Sequence, residues 1–377
     1  MAEKVLIHGN LYTGNEHIED GFIRFTDKII GTGRMEDYQP EPREEVIEGN
    51  GMTVIPGMID VHIHGGYGID AMDADPEALQ TLSGKLLQEG VTSFFPTTMT
   101  QDYSKIEAAL RAIKEAKEKG GTIIEGIHLE GPFISKKRAG AQPLEYIQAP
   151  DGDLFLKWLE ASGNLIKLVT YAPENEGARA FEDLLIGRGI VPSMGHTDAV
   201  RAELLKSKAS HATHLYNGMR GLHHREPGAA GHALLSPGVQ VELIVDGIHV
   251  HPDMVKLTYE MKGPEKITVI TDAMRAKGLP DGESELGGQK VWVKNGEARL
   301  ENGALAGSIL KMDDAFRNIM KFTGCSIVEA VQMTSVNQAR EFGLSHKGSL
   351  TAGKDADFVV LDQNLQVKAT YHLGKRG

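Results

Sequence analysis

The chain of 377 residues is 41% hydrophobic and 24% charged, a globular composition with length for one large domain and a smaller module. A formal net charge of -12, with no tract rich in Lys and Arg, argues against nonspecific nucleic-acid binding. The single cysteine, Cys325, excludes an intramolecular disulfide framework and any multi-cysteine zinc site; no run approaches the ~20 apolar residues of a membrane span and the N-terminus lacks the apolar run of a signal peptide, so a soluble, cytoplasmic protein with no membrane partner is expected.

Residues 1–50 alternate short strands with Gly and Asn turns, as at Ile7-His8-Gly9-Asn10 and Gly21-Phe22-Ile23-Arg24-Phe25. From residue 53 the pattern changes to β-branched runs alternating with helical periodicity, the signature of βα units on a parallel sheet. The spacing predicts strands over 53–64, 91–97, 122–130, 165–171, 190–196, 212–216, 241–248 and 267–272. Asp75-Pro76 supplies an N-cap and a first-turn proline to a helix that Gly90 ends. Ser104 to Gly120 reads the same way, with Ile106, Leu110 and Ile113 on one face. Residues 287–300 read as an inserted β-hairpin that could cover a site, and strand character returns at Phe358-Val359-Val360-Leu361.

Eight such units fit a (β/α)8 TIM-type barrel better than a doubly wound sheet, and no Gly-rich nucleotide loop follows the first strand. The expected organisation is a catalytic barrel over residues 54–344. A small β-sandwich module, built from residues 1–53 together with 345–377, lets both termini bury faces that neither could bury alone.

Barrel active sites lie at the C-terminal ends of the strands, which directs attention to polar residues there. Pro56-Gly57-Met58-Ile59-Asp60-Val61-His62-Ile63-His64-Gly65 carries two histidines at i and i+2. On a strand such rings leave one face, with Cα atoms roughly 6.6 Å apart, and can converge on one ion. Glu130 ends an apolar run before Gly131-Pro132, His196 follows Met194-Gly195, and His214 sits in Thr213-His214-Leu215. Two histidines and a carboxylate form a ligand class that leaves a position open for water. His128 lies one layer below Glu130, and His211 begins its strand, so both are expected outside the ligand set. Asp272 closes Ile267-Thr268-Val269-Ile270-Thr271 and is the expected proton-transfer group: metal-bound water has its pKa lowered toward ~7, and a neighbouring carboxylate can take its proton and pass it to a leaving amine.

The first of these motifs resembles the opening of the amidohydrolase superfamily. His128-Leu129-Glu130-Gly131-Pro132, Gly195-His196-Thr197-Asp198, Thr213-His214-Leu215-Tyr216-Asn217-Gly218, Arg225-Glu226-Pro227-Gly228 and Asp246-Gly247-Ile248-His249 resemble its amino-sugar-phosphate deacetylating branch. The resemblance implies hydrolysis of the acetamide of N-acetylglucosamine 6-phosphate, giving glucosamine 6-phosphate and acetate. It implies that Glu130, His196 and His214 hold a divalent metal and that Asp272 is general base and then acid. Ala141, Gln142, Asn217, Gly218, Arg225, His249 and the Leu305-Ala306-Gly307 turn match substrate-contacting positions. Arg225 is implied to clamp the phosphate, bidentately, from the neighbouring subunit of a homodimer.

Gln142 stands where many relatives place a histidine. The linked expectation is a second metal on His62 and His64, bridged through Glu130 or Asp272, that polarises the carbonyl in that histidine's stead. The count is thus one or two ions per subunit, with Zn, Fe, Mn or Co all compatible with His and carboxylate ligands. Two rival readings are a cyclic amidase of the same superfamily, which would have no use for the Arg225 motif, and a non-catalytic amino-sugar-phosphate-binding protein, which would not need Asp272.

Overall fold

The computed structural model of the chain describes residues 3–377. By compactness these divide into two units: one runs up to Asp60 and includes Gly84–Ser93 and Met312–Gly377, and the other comprises Val61–Ser83 and Phe94–Lys311.

The expected parallel sheet is present as eight strands in sequential order: β1 (Met58–Ile63), β2 (Val91–Thr98), β3 (Ile127–Glu130), β4 (Ile166–Tyr171), β5 (Val191–Met194), β6 (His211–Ala212), β7 (Gln240–Ile244) and β8 (Ile267–Ile270). Each strand is followed by a helix, from Pro76–Leu87 after β1 to Met312–Thr323 after β8. The Asp272 N–H donates to His62 O at 2.8 Å, and the His64 N–H donates to Ala273 O at 2.9 Å, joining the end of β8 to the end of β1. The sheet therefore closes into a (β/α)8 barrel. Its strands are buried almost throughout, because helices cover the outside and side chains fill the inside. The helix signals act as expected: Asp75 Oδ1 accepts from the N–H of Glu77 at 2.9 Å and of Ala78 at 3.1 Å, and Asp102 Oδ1 accepts from Ser104 at 2.9 Å.

Most strands are shorter than the sequence pattern suggests: the run 53–64 divides into Thr53–Pro56 and β1, β5 ends at Met194 and β8 at Ile270. β3 starts at Ile127 rather than at residue 122, and β6 is only His211–Ala212. β7 stops at Ile244, because Asp246 Oδ1 accepts from the N–H of Ile248 and of His249, both at 2.8 Å, and turns the chain out of the sheet. The expected hairpin is a three-stranded antiparallel sheet, Gly282–Leu286, Gln289–Lys294 and Glu297–Leu300. Its Leu286, Val291, Val293 and Ala298 bury against Met99, Met274 and Ala306.

In the first unit both termini share one sheet. Phe358–Leu361 pairs antiparallel with Thr53–Pro56, which pairs in turn with Lys4–Tyr12, and His17–Phe25 and Ile29–Arg34 continue the sheet. Phe25 meets Phe358 edge-on at 5.0 Å, and Phe358 stacks on Tyr371 at 4.4 Å, so residues more than 300 positions apart form one buried core. Phe358→Ala should cost about 3–5 kcal/mol of stability, read as a lower urea midpoint for loss of the first unit; an unchanged midpoint would refute this placement of the core.

Candidate metal centre

The residues singled out at the strand ends converge. His62 is the penultimate residue of the buried strand β1, His64 follows the strand, and Glu130 is the last residue of β3. His196, His214 and Asp272 lie just past β5, β6 and β8, with φ of 45°, 30° and 49°. Left-handed backbone at a non-glycine residue costs of order 1–3 kcal/mol and persists only where surrounding contacts impose it. Here it turns all three side chains inward after their strands end.

Two donor sets result. His196 Nε2 lies 3.2 Å from Glu130 Oε1, His214 Nε2 lies 3.0 Å from the same oxygen, and the two nitrogens are 3.1 Å apart. The second set is His62 Nε2 and His64 Nε2, at 3.4 and 3.3 Å from Asp272 Oδ1. Glu130 faces both, since its other oxygen, Oε2, is 3.2 Å from His64 Nε2.

Ring protonation suits ion binding. Nδ1 of His196 is 2.8 Å from Arg138 O, Nδ1 of His64 is 3.2 Å from Thr97 O, and Nδ1 of His62 is 2.9 Å from Glu242 Oε2. Carbonyl and ionised carboxylate oxygens only accept, so each Nδ1 carries the proton and each Nε2 is turned inward. Ligands about 2.0–2.1 Å from a tetrahedral ion stand roughly 3.3 Å from one another, matching the 3.0 to 3.4 Å separations within each set. The residues fit a divalent ion in the His196, His214 and Glu130 set and a second in the His62, His64 and Asp272 set, with Glu130 between.

The electrostatics agree. Burial alone would depress the imidazole pKa of His64, yet hydrogen bonds to Asp272 and Glu130 outweigh it and raise the value to about 10. His62 also rises, against burial, under the charges of Asp272, Glu242 and Glu130. Burial opposes ionisation of Glu130 and Asp272, but the adjacent imidazoles, His62 foremost, hold both below the usual carboxylate range. Without an ion, this cluster keeps protons where cations would otherwise sit.

The donor sets lie at the bottom of a pocket of about 360 Å³. Of the expected substrate positions, Ala141, Gln142, Asn217, Gly218, His249, Leu305 and Gly307 line it. Ala306 does not; it is fully buried in the core of the three-stranded sheet. Arg225 is also outside the lining, exposed on its loop with NH1 2.8 Å from His224 Nε2. His128 lies beneath the site, 2.7 Å from Thr170 Oγ1, and His211 is turned to Glu242 at 3.1 Å. Two residues were missed: Arg299 lines the pocket, and Glu242 lies fully buried behind it. The only signal for Glu242 was an acid inside the apolar run Val241-Glu242-Leu243-Ile244.

A closed barrel with His and carboxylate donors at its strand ends defines a hydrolase class, and the chain belongs to the amidohydrolase family, whose model matches residues 53–376. Within it, the chain is 47% identical to an N-acetylglucosamine-6-phosphate deacetylase of Bacillus subtilis, over 98% of this chain and 96% of the relative. It is 46% identical to the enzyme of that name from Lysinibacillus sphaericus, over 87% and 86% of the two chains. A mutant N-acetyl-D-glucosamine-6-phosphate deacetylase from Mycobacterium smegmatis, solved with N-acetyl-D-glucosamine-6-phosphate, superimposes with a TM-score of 0.94 at 31% identity, covering 100% of this chain and 99% of that one.

The raised His64 value has a definite sign in metal-free protein. Its stabilising contribution is complete below the unfolded histidine value of about 6.5 and is lost as pH rises toward the folded value of about 10. Thermal unfolding of metal-free protein should show stability falling between these limits, with a shallower fall in His64→Asn; equal slopes would contradict the assignment.

Proposed function

We propose that the chain hydrolyses the acetamide of N-acetyl-D-glucosamine 6-phosphate, releasing acetate and D-glucosamine 6-phosphate. The observation that carries this reading is the pair of donor sets meeting at Glu130 beside Asp272 at the bottom of an open pocket. Glu130, His196 and His214 would hold one divalent cation, and His62, His64 and Asp272, beside Glu130, would hold a second. Such ions, Zn, Fe, Mn or Co, supply Lewis acidity to the acetamide carbonyl and to the attacking water.

Asp272 is the general base and then the general acid. As water adds to the acetamide carbon, its carboxylate takes one proton; as the C–N bond breaks, it delivers that proton to the departing amine. In the metal-free protein, burial opposes its ionisation and the charged imidazoles of His62 and His64 keep it ionised; a divalent cation on the same donor set would take over that role. His249 lines the same pocket, with Nδ1 2.6 Å from Asp246 Oδ2; burial lowers its pKa, and Asp246 more than offsets this, favouring a protonated ring that offers an N–H to substrate.

Gln142 supports the two-ion reading. Its amide nitrogen donates to Glu130 Oε2 at 2.9 Å, and its carbonyl oxygen accepts from the Thr100 N–H at 2.8 Å. The side chain is thus engaged in positioning Glu130 and does not take over the carbonyl contact of a histidine at this place. Arg225, exposed and away from the pocket of its own chain, is assigned to the phosphate of a substrate in the partner subunit of a homodimer. No helix among the described residues is long and apolar enough to cross a membrane, and a cytoplasmic enzyme is the reading we adopt.

Acetate release from N-acetyl-D-glucosamine 6-phosphate tests the proposal: a chelator should abolish it and added divalent metal restore it, whereas absence of turnover in metal-loaded protein would overturn the reading. Asp272→Asn should lower kcat by roughly 10²–10⁴. Arg225→Ala should raise KM roughly 10-fold or more, in proportion to a lost charged hydrogen bond, and an unchanged KM would remove Arg225 from phosphate binding.

A further inference from the structure

We propose that Glu242, deep in β7, is a positioning residue that sets both donor sets at once and so governs how tightly the centre holds its ions. Its contacts are specific. Oε2 accepts from His62 Nδ1 at 2.9 Å and from the backbone N–H of His214, also at 2.9 Å. Oε1 accepts from His211 Nε2 at 3.1 Å. The carboxylate is fully buried, in a strand whose every residue is buried.

Each contact has a consequence at the ions. The first fixes the His62 tautomer and points Nε2 toward Asp272 Oδ1, 3.4 Å away. The second holds His214 at φ 30°, where its ring Nε2 lies 3.0 Å from Glu130 Oε1. The Glu242 carbonyl adds a second hold on this turn, accepting from the Leu215 N–H at 2.9 Å. His211 fastens the carboxylate from the far side. Residue 242 thus touches one ligand from each set, and no other carboxylate outside the ligands does so among the contacts described. A buried carboxylate costs several kcal/mol in desolvation, and apolar residues of similar volume often fill such places at least as stably. The selective advantage of an acid here lies in ligand geometry, since two of its three side-chain hydrogen bonds end on residues of the donor sets and the third, from His211, fastens the carboxylate itself.

This inference rests on the metal-centre reading but not on the identity of the substrate. Cobalt(II) binding to metal-free protein, measured by chelator competition and by visible absorption, tests it. Glu242→Gln keeps the volume but loses one of two acceptor oxygens; loss of an outer partner of a metal ligand typically weakens binding 10–100-fold, and that loss is expected here, with an altered cobalt spectrum. Turnover should fall at limiting cobalt and recover substantially at saturating cobalt, which a general packing defect would not do. Should Glu242→Gln fail to fold, His211→Gln, which loosens the carboxylate without removing it, should show a smaller loss of affinity in the same direction. Wild-type affinity and spectrum in a folded Glu242→Gln, or in His211→Gln where Glu242→Gln does not fold, would overturn the proposal, as would a wild-type protein that takes up no cobalt. Failure of the acetate assay with cobalt binding weakened as described would overturn the deacetylase reading and leave this one standing.

Discussion

The structure is organised around the need to neutralise three carboxylates in the barrel interior. Glu130, Asp272 and Glu242 are all buried, and the groups around them are imidazoles. An isolated buried carboxylate is costly enough that it normally takes up a proton, yet here all three are held below their ordinary pKa. Protons on His62 and His64 meet part of the demand in the metal-free chain. Divalent cations at the donor sets would meet it more completely, while leaving the imidazoles neutral as ligands. Glu130 is the shared member, with one oxygen for each set.

Barrel closure and the site are the same set of contacts. The backbone bonds that join β8 to β1 run from Asp272 to His62 and from His64 to Ala273, so the residues that seal the barrel also carry donor atoms. Precision follows from this coupling: His62, His64 and Asp272 cannot shift without loosening the seam, while His196 and His214 are held past their strands by Arg138 O and the Glu242 carboxylate. Side chains placed at the ends of closed strands are better fixed than side chains on free loops, which suits a centre whose donors must meet within a few tenths of an ångström.

Much of this was legible in the chain itself. β-branched, largely apolar runs mark the eight strands because parallel strands are buried on both faces, and polar residues ending such runs stand out against that background. His62, His64, Glu130, His196, His214 and Asp272 were visible for that reason, and the structure brings them together. Strand ends were less legible: β6 is two residues long because His214 leaves the extended region, and β7 stops early because the Asp246 carboxylate captures two backbone N–H groups. Glu242 was overlooked because the significance of a lone acid in a strand depends on partners 28 to 180 positions away, which no local pattern encodes. Arg299 was missed for a related reason: the inserted sheet that brings it to the pocket was read as a hairpin, without a register to show which side chains face inward.

We infer that Glu130 joins two ion sites and that both serve catalysis. Stepwise addition of metal to the metal-free protein, with bound metal and acetate release followed together, tests it most directly. Activity should rise to a plateau at two equivalents per chain, and should reach a plateau at one bound equivalent with much reduced turnover when His62 and His64 are both replaced by alanine. Full activity at one equivalent, unaltered by that double replacement, would contradict it.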